Sequence, residues 1–530
     1  MTAPHRLRTI PELLDDAGAE HGDRPWLLAG DDVLSYAEAR RASFTVAAAA
    51  ADRGLGKGDI VLLVAENVPR HVVTWLGLME RGVLLLAANP RSTVEELAGL
   101  VAQTDPVLVL HEPVTGDTAA AACFAAGGHR TRAEVGELHA GAGSDRHRVR
   151  VEPGDPAVLI PTSGTTGRSK LVTQTHRGYV MAGEGFPWWL GLGSDDRLIT
   201  PLPLFHVNTQ AYSVLGSAAA GAGLVLLERF SASTFLDSAR RYGATHFNSI
   251  GALLELLMLQ PAREDDADNP LRTCYTAPSP APERHREIEA RFGIRVMCGY
   301  GMSESPYGLI WPRGERPLGT MGKPRQHPAM GHVNDVRVMV DDREAADGEV
   351  GELELRNPAV MLGYHGMPDE TAEVLVDGWL RTGDLVTRDS DGWYRFVARK
   401  KEVIRRRGEN LAPGEVEEAI VGQPGIAAAA VVAVPSELGE DDVKAFVMPE
   451  PGTAVDLAAL RETLERRLSS FKVPRYLECV DELPLTATGR VAKHKLPRDR
   501  RPDEVDFEGD RPAPQTGSSW TPRARTGGRP

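Results

Sequence analysis

The chain has 530 residues, 42% of them hydrophobic and 25% charged, with 54 Gly and 38 Pro. That length exceeds what one hydrophobic core usually supports, so at least two domains are expected, and the composition excludes a fibrous or wholly disordered protein. A formal charge of -14 excludes nucleic acid as the main partner, because phosphate contacts need a concentrated field of Lys and Arg.

The opening MTAPHRLRTIPELLDD turns acidic before any apolar stretch develops, unlike a signal peptide. From Thr9 to about Gln260, apolar runs of strand length (IVLLVA, GVLLLAA, PVLVLH, AVLIPT, AGLVLLE) alternate with amphipathic segments such as STVEELAGLVAQ. That alternation predicts βα units on a largely parallel sheet. The longest apolar stretch, around Gly216 to Leu227, is diluted by Gly and Ala and too short to span a bilayer. The cysteines Cys123, Cys274, Cys298 and Cys479 lie far apart with no CxxC pair, which removes a zinc ribbon, a redox dithiol and a disulfide scaffold. A soluble protein of the reduced cytoplasm, with no membrane partner, is expected.

Directly after AVLIP comes Thr162-Ser163-Gly164-Thr165-Thr166-Gly167-Arg168-Ser169-Lys170. Its glycines let backbone N–H groups turn toward one point, its hydroxyls add donors, and Arg168 and Lys170 add charge, so the loop suits a polyphosphate. It is not a Walker loop, which would need Gly at Ser169 and Ser or Thr at Leu171.

After Gly348 the strands EVGELELR, WLRTGDLV and WYRFVAR, broken by the turn Asp389-Ser390-Asp391-Gly392, predict a small antiparallel β subdomain. From Lys401 a compact α+β piece follows, with one helix starting at Pro413-Gly414-Glu415 and another in VDLAALRETLERRL. The expected division is an N-terminal domain over 1–400, a lid over 401–498 and a disordered Pro- and Arg-rich tail over 499–530.

The segment PTSGTTGRSKLVTQTH resembles the phosphate loop of the adenylate-forming superfamily, the acyl-CoA synthetases, aryl-CoA ligases, peptide-synthetase adenylation domains and firefly luciferase. Further segments resemble that family's motifs in its order over residues 10 to 498: Pro203-Leu204-Phe205-His206, Tyr300-Gly301-Met302-Ser303-Glu304, Thr382-Gly383-Asp384, Arg399, and Gly408-Glu409-Asn410 with Glu415. Taken singly, His206 reads as a packed core residue, Ser303-Glu304 as a helix cap and Asp384 as a turn residue. Together they carry the resemblance.

It implies an α/β fold: a large N-terminal domain of mixed sheets with flanking helices and a β subdomain, plus a small mobile α+β C-terminal domain. It also implies ATP, Mg²⁺ and CoA as reactants and cofactor. Lys170 and the loop would hold phosphates, Ser303 the α-phosphate and Glu304 the metal. Asp384 and Arg399 would hold the ribose, while Ala277, Pro278 and Tyr300 flank the adenine. Gly408 would line the pantetheine tunnel, and Lys401 would be the hinge. The acid pocket would be lined by His206, Asn208, Asn248, Gly251, Tyr300 and Met302, whose polarity suits a small polar or aromatic acid.

One departure stands near the end. Where the family has a Lys bridging substrate carboxylate and α-phosphate, Pro484-Leu485-Thr486-Ala487-Thr488-Gly489-Arg490-Val491 carries Arg490. The charge survives but its planar, bidentate shape differs from an ammonium. Lys493 and Lys495 close by read as solvated lysines. Beside an acid–CoA ligase tolerating Arg490, two alternatives follow: a diazotase-type enzyme of secondary metabolism activating nitrite for an aryl amine, and a catalytically weak nucleotide-binding relative.

Overall fold

The computed structural model describes residues 6–128, 130–162, 169–406, 409–435, 441–486, 491–499, 501 and 504–507. The chain divides into two compact units. The first comprises Met1–Arg337, Glu354–Thr382 and Asp389–Arg395; the second comprises Val338–Leu353, Gly383–Arg388 and Phe396–Pro530.

In the first unit, Ile60–Val64 (β1), Leu84–Ala88 (β2), Leu108–His111 (β3) and Pro156–Thr162 (β4) run parallel in a sheet. Val61 to Val64 and all of β2 are buried, as expected of strands covered on both faces, where no polar alternation survives. Helices cover the sheet, and their starts are written locally: Thr9 with Glu12, Ser35 with Glu38 and Thr93 with Glu96 all form capping boxes. The glycine- and hydroxyl-rich loop does not lead into a helix. It closes a hairpin with the antiparallel strand Lys170–Thr175 (β5), whose ladder ends at the pair Thr162 and Lys170.

A second sheet of the same unit holds Arg197–Thr200 (β6), Gly223–Leu226 (β7), His246–Asn248 (β8), Thr273–Thr276 (β9) and Arg295–Met302 (β10). These five strands are parallel, in the spatial order β10, β9, β8, β6, β7, and Ser305–Ile310 (β11) returns antiparallel along β10. Ile199, Val225, Phe235, Phe247, Cys274, Ile288 and Val296 form the core beneath it. The segment Gly216 to Leu227 falls partly in a short helix and partly in β7, as a buried piece of this unit. Gly363–Tyr364 (β12) adds to the first sheet beside β5, with Gly363 opposite Thr173 and Tyr364 opposite Val172.

The turn at Asp389 to Gly392 forms between Trp379–Arg388 (β13) and Tyr394–Arg399 (β14); Gly392 takes φ +81° and donates its N–H to Asp389 O at 2.9 Å. In the second unit Ile426–Pro435 (β15), Asp441–Pro449 (β16), Tyr476–Cys479 (β17) and Val505–Asp506 (β18) make one sheet in that order. Both expected helices flank it, Pro413–Val421 with Pro at its first turn and Leu457–Arg467 capped by the Asp456 carboxylate.

β18 lies inside the segment expected to be disordered from 499 onward. Its order has a local cause. Glu504 pairs with the buried Lys444 at 2.7 Å, Asp506 with Arg475 at 3.0 Å, and Phe507 packs on the core of Val416, Ile420 and Leu464. Four residues that alternate charge and apolar surface fit a sheet edge even in a tail poor in apolar residues.

Candidate active site

The first unit directs chemistry-bearing residues to the carboxyl edge of its second sheet, where ligands sit in open α/β sheets. β6, β8 and β9 end at Thr200, Asn248 and Thr276, and each of these residues is fully buried. Thr200 Oγ1, Asn248 Oδ1 and Thr276 Oγ1 have no hydrogen-bond partner among the described residues. Orphaned buried polar atoms at three neighbouring strand ends are uncommon, and they fit an edge that receives a polar ligand.

Most of the pocket residues expected from the sequence leave this edge, and several touch. Asn208 opens a π-helical turn, Asn208–Val214, of the kind enriched at functional sites. Asn248 Nδ2 donates to Asn208 Oδ1 and to Ser213 Oγ, both at 2.9 Å. Gly251 begins the helix Gly251–Met258, and a Cβ there would lie 3.6 Å from Pro278 Cδ, so the expected acid and adenine walls adjoin. His206 follows β6 and packs its ring 4.3 Å from that of Phe205. The Tyr300 hydroxyl donates to Met302 Sδ at 3.6 Å. Tyr300 approaches β11 closely because residue 308 is Gly: a Cβ there would sit 2.6 Å from Tyr300 O and 2.8 Å from Tyr300 Cδ1.

The turn between β10 and β11 carries Ser303 and Glu304. Two residues unmarked by sequence reasoning tie this turn to the phosphate-loop hairpin. Gln174, fully buried in β5, donates from Nε2 to Ser303 O at 2.9 Å and to Ala359 O at 3.3 Å. Tyr364 of β12 donates its hydroxyl to Glu304 Oε1 at 2.9 Å, while Lys170 Nζ stands 4.6 Å from the centre of its ring. Thus Lys170 and the adjacent pair Ser303-Glu304, far from it in the chain, meet around β5 and β12. Thr162 Oγ1 donates to Lys170 O at 3.1 Å and closes the mouth of the loop.

A buried cation braces β11. The Arg325 guanidinium donates to Leu309 O at 3.0 Å, to Pro306 O at 2.9 Å, and to the Tyr212 and Tyr275 hydroxyls at 2.6 Å each. Burial pushes the Tyr275 and Tyr307 phenols up, so both stay protonated at neutral pH. Gln174 had a faint signal, a polar residue amid the apolar strand LVTQT; Tyr364 and Arg325 had none, because the partners their side chains meet here are distant in sequence.

In the second unit Asp384 is fully buried on β13 and pairs with Arg399 of β14, Nε to Oδ1, at 2.6 Å. Beside them Gly383 takes φ +71° and donates its N–H to Glu352 Oε1 at 3.0 Å, and Glu352 also accepts from Lys400 Nζ at 2.8 Å. A left-handed φ favours Gly at that position. Lys401 lies in the single 3₁₀ turn Lys400–Glu402. Lys493 is not a solvated lysine: Glu417 at 2.7 Å and Glu402 at 3.5 Å hold it, which leaves it unsuited to stand in for a substrate-reaching cation. Ser163, Gly164, Thr165, Thr166, Gly167, Gly408 and Arg490 lie outside the described residues.

Among the described residues no cluster of three or more His, Cys, Asp or Glu side chains could hold a metal by itself. The donor set fits Mg²⁺ all the same, since that ion keeps several waters and takes one or two carboxylates alongside substrate phosphates. No helix among the described residues is long and apolar enough to cross a membrane. The four cysteines are buried and free.

Known proteins are similar to this chain over nearly its whole length. Residues 14–365 match the AMP-binding enzyme family and residues 415–490 its C-terminal domain. Sulfoacetate–CoA ligase of Cupriavidus necator is 33% identical over 511 residues, 93% of this chain and 98% of its own. Crotonobetaine/carnitine–CoA ligase of Salmonella agona is 29% identical over 519 residues, 92% of this chain and 99% of its own. ATP-bound MatB of Rhodopseudomonas palustris superposes with a TM-score of 0.83 at 26% identity, covering 92% of this chain and 98% of that one. With both parts of the family matched and its motif residues gathered within each unit, the chain belongs to the AMP-binding enzymes and is an adenylate-forming ligase.

Proposed function

We propose that this ligase activates a small polar or aromatic carboxylic acid as its acyl-adenylate and passes the acyl group to the thiol of CoA, in the cytoplasm. The observation that carries the reading is the grouping of Lys170 and Glu304 on Tyr364, with Ser303 held beside them by Gln174, next to a polar carboxyl edge. The two ligases named above act on small polar acids by name, which supports the same class here.

In this reading ATP lies with its phosphates on the loop Thr162 to Lys170. Ser303 donates to the α-phosphate, and Tyr300, Ala277 and Pro278 flank the adenine. Asp384 accepts from the ribose hydroxyls, with Arg399 beside it. Mg²⁺, held by Glu304, supplies charge neutralisation to the phosphates. A carboxylate oxygen of the acid attacks the α-phosphorus as the bond to the β-phosphate oxygen breaks, and pyrophosphate leaves. Arg490 steadies the charge that develops there. The lid from Lys401 onward then turns about that residue, Gly408 leaves room for pantetheine, and the CoA sulfur displaces AMP from the acyl carbon.

Incubation of the purified protein with ATP and a panel of acids, read as pyrophosphate release with and without CoA, tests this. Acid-dependent release, with thioester formed only when CoA is present, is expected. Release only with nitrite and an aminoarene would point to diazotisation, and silence with every acid to an inert relative.

A further inference from the structure

We propose that Tyr364 is a positioning residue of the nucleotide site, setting the Glu304 carboxylate through its hydroxyl and the Lys170 ammonium through its ring. The inference rests on the proposed function, in which Lys170 meets phosphates and Glu304 meets the metal.

The geometry comes from how β12 is attached. Tyr364 pairs with Val172, two residues beyond Lys170 on β5, so its ring shares the face of the sheet that bears Lys170. Diagonal cross-strand neighbours of this kind lie within reach of aromatic and long side chains. The Nζ of Lys170 stands 4.6 Å from the ring centre, a cation–π distance. At the far end of the ring the hydroxyl reaches Glu304 Oε1 at 2.9 Å. One rigid side chain therefore spans from a loop cation to a carboxylate.

The segment that carries Tyr364 is fastened on both sides. Leu362 N–H donates to Thr173 O at 2.9 Å and His365 N–H to Leu171 O at 2.7 Å, which locks it to β5. Met361 N–H donates to Glu304 O at 2.8 Å, which locks it to the Ser303–Glu304 turn. The Tyr364 N–H itself donates to Thr371 Oγ1 at 2.9 Å. A tyrosine fixed at both ends needs no reorganisation to hold its two partners, and its removal takes this hydrogen bond from the Glu304 carboxylate.

The two contacts separate by substitution. Tyr364→Phe keeps the ring under Lys170 and removes the hydroxyl that donates to Glu304; Tyr364→Leu removes both contacts. Calorimetric titration of the whole protein with ATP, once with excess Mg²⁺ and once with EDTA, reads them apart. The phenylalanine variant should bind Mg²⁺-ATP roughly tenfold more weakly, the scale of one hydrogen bond to a charged group, and bind metal-free ATP as the wild type does. The leucine variant should be weaker under both conditions. In a Glu304→Gln background Tyr364→Phe should add nothing.

Equal binding of wild type and Tyr364→Phe with Mg²⁺, or an equal loss with and without it, would overturn the inference while leaving the nucleotide site intact. A wild-type protein blind to ATP would overturn the proposed function itself. Should the leucine variant fail to fold, the nearly isosteric phenylalanine variant still decides.

Discussion

The Tyr364 hydroxyl donates to Glu304 Oε1 across 2.9 Å, and no spacing rule in the chain announces it. Through this bond the turn after β10 is tied to β12, which pairs with the strand that leaves the phosphate loop. Glu304 is the one member of the group suited to a hard cation, so the metal requirement should run through it. Pyrophosphate release should vanish in EDTA and return with Mg²⁺. Glu304→Gln should lower the rate by about 100-fold and raise the Mg²⁺ concentration needed, the usual scale for losing one transition-state stabiliser. Titration of the rate against Mg²⁺ checks both.

Gln174 is the second tie, donating to Ser303 O and Ala359 O from a fully buried position. Gln174→Leu strands both carbonyls without a donor. The variant should lose about 1–3 kcal/mol of stability, read by urea denaturation. Its adenylation rate should fall more than its affinity for ATP, because Ser303 acts on the α-phosphate.

Burial holds His71, His139, His176 and His246 down to about 4. In the unfolded chain each titrates near ~6.5, so between that pH and about 4 the unfolded state binds protons that the folded state refuses. Stability should therefore be insensitive to these groups above neutrality and fall as pH drops through the window, by up to about 1.4 kcal/mol per pH unit for each histidine. His246→Gln should flatten that fall relative to wild type, measured by denaturant melts from pH 7 to pH 4.

Much of this architecture was legible in the chain. IVLLVA and GVLLLAA, uninterrupted by polar residues, had to be buried strands, and the amphipathic segment STVEELAGLVAQ forms the helix Val94–Thr104. Asp384 and Arg399, which the resemblance assigns to the ribose, form an ion pair at 2.6 Å. What stayed hidden depended on tertiary approach. Tyr364 is separated from Glu304 by 60 positions and Gln174 from Ser303 by 129, and only strand addition and sheet packing bring them together. The strand at Val505 was missed because a short sheet-edge segment with two carboxylates is compositionally like the tail around it.

Arg490 keeps the charge of the family's lysine in a longer and planar form. Arg490→Lys should speed adenylation, and Arg490→Ala should slow it by about 3 kcal/mol in barrier, roughly 100-fold. Single-turnover pyrophosphate release with saturating ATP and acid measures both. A slower lysine variant would mean that the guanidinium is matched to an anion other than a simple carboxylate.

The most direct measurement is acid-dependent exchange of labelled pyrophosphate into ATP, with Asp384→Asn as control. Exchange that needs an organic acid and Mg²⁺, proceeds without CoA and fails in the Asp384 variant is the result predicted by reversible formation of an acyl-adenylate. Absence of exchange with every acid supplied, or exchange undiminished in the Asp384 variant, would contradict it.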